Sequence, residues 1–327
     1  MQQIKFHISK CSFFFSVLFF LFNGNSFAQS KFTEKTSELL FSHYNISKYD
    51  TNYVQRPEKK FIASFQPEIS SVGITIANKD NEVDFENQLN TKIGVNFSFY
   101  GFNIGYKFKI RNTEKENKDF CIKYNGRSFG LGIDFCTAYD LSGEISIGDT
   151  LKVKIKNSGL DIKIFQLSSY YVWNNKKFAY PAAFDKSLIQ MKKCGSMLFG
   201  ATYTSAWAKK CDSLGVQKID LQCAGLGAGY GYNFVTKKKK LLLHISAIPM
   251  FLFYEEKGFE TDGIYHKMKY SQPEVTISGC FALIYNFGKR YFFSIDSSRY
   301  MTIVGYENNI GTTFSRQFTK LSFGVRF

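Results

Sequence analysis

Lys92-Ile93-Gly94-Val95-Asn96-Phe97-Ser98-Phe99 alternates without a fault. Ile93, Val95, Phe97 and Phe99 fall on one side of an extended chain, and Lys92, Gly94, Asn96 and Ser98 on the other. Successive side chains of a strand point to opposite faces, so this stretch predicts a strand with one apolar and one polar surface. After Tyr100-Gly101 the pattern resumes, with Phe102, Ile104, Tyr106, Phe108 and Ile110 set against Asn103, Gly105, Lys107 and Lys109. Further along, Phe129, Leu131, Ile133 and Phe135 oppose Ser128, Gly130, Gly132 and Asp134. Leu226, Ala228, Tyr230, Tyr232 and Phe234 oppose Gly225, Gly227, Gly229, Gly231 and Asn233. Glycine at every second residue weakens an ordinary strand. It suits a wall that meets lipid on one face and a crowded or curved interior on the other.

The connectors carry a second period. Tyr100-Gly101, Asn125 to Arg127, Asn174 to Lys177, Thr236 to Lys240 and Phe287 to Lys289 are short. Between them fall longer, more polar stretches: Asn78 to Thr91, Arg111 to Asn117, Tyr139 to Gly159, Trp207 to Leu221, Tyr254 to Gln272 and Glu307 to Ser315. Alternating short and long connections are what an up-and-down barrel needs. The expected fold is all-β: a closed antiparallel up-and-down transmembrane β-barrel of about twelve strands over residues 60–327. Pro67 interrupts the first strand. Tyr180 to Lys193 breaks the alternation inside the expected seventh strand, as a bulge, a small helix or an insert into the lumen. The chain stops on a last alternating segment, Leu321, Phe323, Val325 and Phe327, which resembles the signal read by barrel-assembly machinery.

The first residues read as an address. Lys5 and Lys10 precede the apolar run Phe13 to Phe22, and Ser26-Phe27-Ala28 places small residues before Gln29. This predicts a secretory leader, residues 1–28, cleaved after Ala28, and too short to remain as a membrane helix. Cys11 lies on the wrong side of the apolar core for lipidation. Residues 29–59 form an expected N-terminal periplasmic segment without alternation, with a short helix over Lys35 to Phe41. The formal charge of +15 becomes 15 − 2 = +13 once Lys5 and Lys10 leave. An exported basic chain is expected to meet outer-membrane lipid and lipopolysaccharide phosphates, not nucleic acid. The expected location is the outer membrane, reached with the help of the barrel-assembly machinery. Cys121, Cys136, Cys194, Cys211, Cys223 and Cys280 remain, without zinc spacing; their even number permits disulfides in an oxidising compartment.

Tyr49-Asp50-Thr51-Asn52-Tyr53-Val54 with Pro57-Glu58-Lys59, the stretch Tyr124 to Leu131, and above all Asn174 to Gly200 resemble a Bacteroidota family known only as a domain of unknown function. The resemblance spans roughly Asp50 to Phe327. It implies an exported, barrel-like protein and supplies no activity. Where family members continue Tyr-Arg-Ala-Ala-Phe, this chain has Tyr180-Pro181-Ala182-Ala183-Phe184.

Chemistry is sparse in the sequence. His244-Ile245-Ser246 puts an imidazole and a hydroxyl on one face of an expected strand, as a general base and nucleophile of acyl transfer require. Glu255 or Glu256 is a conceivable orienting acid. Leu243, Ile245 and Ala247 read as the lipid face, which turns His244 and Ser246 into the lumen, where a polar pair needs no chemical role. Gly225 to Gly231 contains G-x-G-x-G, but its spacing is strand alternation, so a dinucleotide site is rejected. Lys237 to Lys240 sits in an expected turn, and His43 and His266 stand alone. No cofactor or metal is implied. Expected lumen charges are Lys107, Lys109, Asp134, Lys163, Lys320 and Arg326, able to tune passage in a wide barrel or to pair in a narrow one. The leading expectation is a non-enzymatic outer-membrane barrel: a structural wall, a small pore or a partner-binding platform. An acyl hydrolase using Ser246 and His244, and an accessory barrel of a secretion or surface-assembly machine, are the alternatives.

Overall fold

The computed structural model describes residues 48–327 apart from 78–80, 87–89, 110–117, 140, 148–150, 156–160, 212–215, 262, 269–273 and 308–309. The expected leader, residues 29–47 with their short helix, His43 and the side chain of His266 lie outside the described residues.

In chain order the strands are β1 (Val54–Gln55), β2 (Phe61–Ala77), β3 (Asn81–Glu86), β4 (Asn90–Phe99), β5 (Phe102–Lys109), β6 (Lys118–Asn125), β7 (Phe129–Ala138), β8 (Ser142–Ile147) and β9 (Leu151–Ile155). There follow β10 (Asp161–Val172), one helical turn α1 (Pro181–Phe184), β11 (Ile189–Gln190), β12 (Cys194–Cys211), β13 (Val216–Val235) and β14 (Leu241–Thr261). The chain ends with β15 (Ile264–Met268), β16 (Val275–Phe287), β17 (Tyr291–Glu307) and β18 (Ile310–Arg326). Twelve of these, β2, β4 to β7, β10, β12 to β14 and β16 to β18, pair antiparallel in sequence order, and β18 pairs back onto β2. The sheet is therefore a closed, up-and-down barrel of twelve strands, and closure leaves its wall without a free edge.

The alternation that predicts the strands also sets their faces. Leu131, Leu226, Phe251 and Phe323 point outward and expose about half their surface or more, while Gly130, Gly225, Met250 and Ser322 beside them are buried. An apolar outer wall on a closed barrel is the surface a bilayer stabilises. Tyr100 and Gly101 both take positive φ, 49° and 85°, which gives the hairpin turn the hand that matches strand twist. Pro67 stands opposite Ile93 within the β2–β4 ladder. The glycines of β13 make room on the inside: a Cβ on Gly231 would press on Leu198, Phe178 and Ser246.

Two expectations need correction. The long connectors are not simple loops. β3 continues the wall above β4, the β8–β9 hairpin pairs onto β3, and β15 folds back on β14. Tyr180 to Lys193 is not part of the expected seventh wall strand; of the bulge, small helix or insert expected there, it is an insert that carries one helical turn and the short β11. The wall runs out at Val172 and resumes at Cys194; between them residues 173–177 turn at the rim, and Phe178 to Gln190 are buried within the barrel as an insert. Period two fails there because the segment is surrounded by the wall instead of belonging to it. Proline fits the first position of a helix, where its missing N–H is not needed. The insert is tied to the N-terminal segment: Val54 pairs with Gln190 and Gln55 with Ile189, and the Asp50 N–H donates to the Lys176 carbonyl.

The interior is filled in three layers. At the end with the short turns, Tyr49, Val54, Ala179, Ala182, Ala183 and Leu188 pack against Ile62, Leu242, Ile284 and Phe292 of the wall. At the end with the long hairpins, Phe85, Leu141, Ile162, Ile164 and Phe314 form a second apolar plug. Between them lies a belt of paired charges.

Candidate functional site

The belt is built by parity. Lys92, Lys107, Lys123, Asp119 and Asp134 all fall at inward positions of β4 to β7. Lys92 donates to Asp119, Lys107 to Glu68, and Lys123 lies 3.1 Å from Asp134. Lys109 stands opposite Lys92, and Lys320 between Glu68 and Asp296. The expected lumen charges Lys107, Lys109, Asp134, Lys320 and Arg326 thus lie on the inner face. Lys163 does not: it is exposed on the outside, because Ile162 and Ile164 turn inward to the dry cluster at that height. Among Glu68, Lys92, Asp119 and Arg316 a cavity leaves about 10 Å3 for the centre of a water-sized sphere, room for about one water.

The insert is fastened to this interior at two points. Lys186 follows α1 with φ of 61°, a left-handed conformation that reverses the chain. Its ammonium donates to both oxygens of Asp296, at 3.0 and 2.8 Å, and both side chains are almost wholly buried. Arg326, the penultimate residue, donates from Nε to the Lys186 carbonyl and from Nη2 to Asn286, with its guanidinium over the Phe292 ring. Beside Lys186, the Asp185 carboxyl accepts from the Ser187 N–H, and burial pushes its pKa up to about 6. Burial likewise holds the Tyr180 phenol well above its usual value.

The second fastening contains the histidine–serine pair. His244 and Ser246 point inward from β14 and are fully buried, with Nε2 3.0 Å from the serine Oγ. Nδ1 lies 2.7 Å from Oδ1 of Asn233, the residue opposite His244 on β13. Glu255 and Glu256 are not the orienting group; they contact Lys257 and Lys267 respectively. The network fixes its own protons. The Gln190 Nε2 faces three carbonyls, of Tyr53, Lys177 and Lys192, so its Oε1 must accept, from the Ala179 N–H and from Asn233 Nδ2. Asn233 Nδ2 also donates to the Ala179 carbonyl, which leaves Oδ1 as acceptor toward the imidazole. His244 is therefore protonated on Nδ1, and its Nε2 is free to accept from the Ser246 hydroxyl, the proton arrangement an acyl-transfer triad uses.

Access decides what that arrangement does. The rings of Phe178, Tyr180 and Phe184 lie 5.2 to 6.1 Å from the imidazole and cover it. With the insert seated, neither water nor an acyl chain reaches Ser246. In this state the relay is a clasp: it binds the insert, through Gln190 and Ala179, to the wall. Sequence reasoning missed Asn233 and Gln190. Asn233 was within reach, because a hairpin centred on the Thr236 to Lys240 turn sets 233 against 244. Gln190 was not, because only the folded insert brings it there. Cys121, Cys136, Cys194, Cys223 and Cys280 are free thiols.

No curated protein matches the chain. Among solved structures, the translocator domain of the autotransporter NalP from Neisseria meningitidis is 12% identical and aligns over 90% of this chain and 96% of its own, with a TM-score of 0.39. The outer-membrane protease OmpT from Escherichia coli is 8% identical over 83% and 97%, with a TM-score of 0.39. The P. putida toluene transporter TodX is 7% identical over 82% and 90%, with a TM-score of 0.29. Likenesses this distant transfer neither chemistry nor cargo. A family model covers residues 48–327, the whole barrel with the stretch that leads into it, and the chain belongs to that family, the domain of unknown function DUF4421.

Proposed function

We propose that this chain is a plugged outer-membrane barrel, without an open pore and without catalysis in its resting state, that serves as a platform for a partner. The observation that carries this reading is the filled lumen: two apolar plugs and, between them, charges that pair with one another. The reading includes export through a leader cleaved after Ala28, insertion by the barrel-assembly machinery through the outward residues Leu321, Phe323, Val325 and Phe327, a periplasmic position for the short turns, and outer-membrane lipid and lipopolysaccharide around the wall. Purified wild-type protein in planar bilayers is expected to give no unitary conductance. Discrete current steps from the wild type, absent from protein-free bilayers, would overturn the plugged reading.

A second reading is favoured by one observation, the Ser246–His244–Asn233 geometry. If a partner or lipid draws the insert out, Ser246 Oγ is placed to attack an ester carbonyl while His244 Nε2 takes its proton. Lipid deacylation by the 178–193 deletion that disappears on S246A supports it; equal rates for the two proteins exclude it.

A further inference from the structure

The positive charge of this chain is not spread over the barrel. At the end with the short turns, Lys59-Lys60, Lys176-Lys177, Lys192-Lys193, the run Lys237–Lys240 and Lys289-Arg290 are all exposed. These twelve cations share that end with two carboxylates that are not buried, Asp50 and Glu58, a surplus of ten, against +13 for the whole chain after the leader. Glu58 is already engaged, 2.6 Å from Lys289, which holds its carboxyl below the usual range. The opposite end mixes its basic residues with Glu82, Asp84, Glu86, Glu144 and Asp220.

We infer that this cationic end is the docking face of the platform and that its occupant is a protein with an acidic surface. The inference rests on the platform reading and names the kind of partner. Geometry separates it from lipid. The turn lysines of Lys237–Lys240 stand on the rim, where head groups lie, and Lys193 adjoins Cys194 of the wall, but Lys177 and Lys192 flank Tyr53 and lend their carbonyls to the buried Gln190, inboard of the wall. Twelve strands at about 4.8 Å spacing and a tilt near 40° make a ring about 24 Å across, so cations inboard of the wall stand up to about 12 Å from it, away from the head groups. A disc of that size with its side chains is of the order of one side of a standard protein interface, about 800 Å2. The cations are also held in place. The Tyr53 ring is flanked by Lys177 and Lys192 at 5.1 and 5.3 Å, and the Tyr100 ring by Arg56 and Lys60 at 5.4 and 5.3 Å. Tyrosine and arginine, as in the Tyr100–Arg56 contact, are enriched at protein-binding centres, while the lysines around them supply long-range attraction for an acidic surface.

A photo-cross-linking residue in place of Lys176, in cells, tests this. The expected product is a discrete protein adduct whose cross-linked peptide is rich in Asp and Glu, with no such adduct from Lys152 at the other end. In the quadruple variant K177Q/K192Q/K193Q/K238Q the adduct is expected to fall at least tenfold while the barrel still assembles. In neutral phosphatidylcholine nanodiscs, poly-L-glutamate should bind the wild type at least tenfold more tightly than that variant. Adducts with lipid or cell-wall glycan alone, or a protein adduct and a poly-L-glutamate affinity indifferent to the four substitutions, would overturn the inference. A conducting wild-type barrel overturns the plugged reading instead, and leaves the cross-linking result to stand or fall separately.

Discussion

Asp185 holds its proton more tightly in the folded chain than in the unfolded one, with pKa about 6 against 3.8. The folded state therefore carries an extra proton between those values. Stability of the insert is full below about pH 4, declines as pH rises toward 6, and stays reduced above it, by ~3 kcal/mol at most. Hydrogen exchange of the Ala183 and Lys186 amides, corrected for intrinsic rate, should show greater protection at pH 4.5 than at pH 7.5. D185N should flatten that difference; an unchanged slope in D185N would place the titration elsewhere. Lys186 is the complementary case. K186M takes the bidentate ammonium from the buried Asp296 and leaves it the Ser294 and Ser322 hydroxyls, a loss of roughly 3 kcal/mol, whereas K186M/D296L removes both charges and should recover most of it. Limited proteolysis within residues 173–193 reads the difference. These side chains differ in how legible they were. His244 and Ser246 follow from parity alone. Lys163 was placed on the wrong face because apolar residues were assigned to lipid throughout, and Ile162 and Ile164 instead fill a dry upper lumen.

At the scale of elements, β13 and β14 approach each other most closely where β13 has glycine. A Cβ on Gly227 or Gly229 would stand 1.9 Å from the carbonyl oxygen of Pro249 or Ala247, and backbone cannot yield cheaply. G227A and G229A are expected to lose the folded barrel, while G279A, whose Cβ would meet only the Arg299 carbonyl oxygen at 4.0 Å, should assemble like the wild type. Fractionation and unheated gel mobility of the three variants check this. The strand pattern of β4, β5, β7 and β13 was readable because two environments alternate along each of them. A small helix was one reading open for Tyr180 to Lys193, but the bounds of α1 and β11 were not readable. Most of their residues are buried, and no face-by-face contrast remains in the sequence to mark them. The β8–β9 hairpin was hidden inside a long polar connector: Leu151, Val153 and Ile155 alternate with Lys152 and Lys154, but the run is only five residues long.

For the whole molecule, closure makes a direct forecast. Unheated samples in SDS should migrate as a compact band and shift to the full-length position only on boiling; identical mobility before and after heating would argue against a sealed wall. The end of the chain adds a constraint on how that wall is made. Phe61 and Phe327 exchange both backbone hydrogen bonds, Phe61 N–H to the Phe327 carbonyl and Phe327 N–H to the Phe61 carbonyl, and the neighbouring Arg326 grips the insert from inside. Arg326 can donate to the Lys186 carbonyl only when the insert is seated. Closing the seam and loading the cargo therefore favour each other, and the zipping of the last strand doubles as a test that residues 178–190 are aboard.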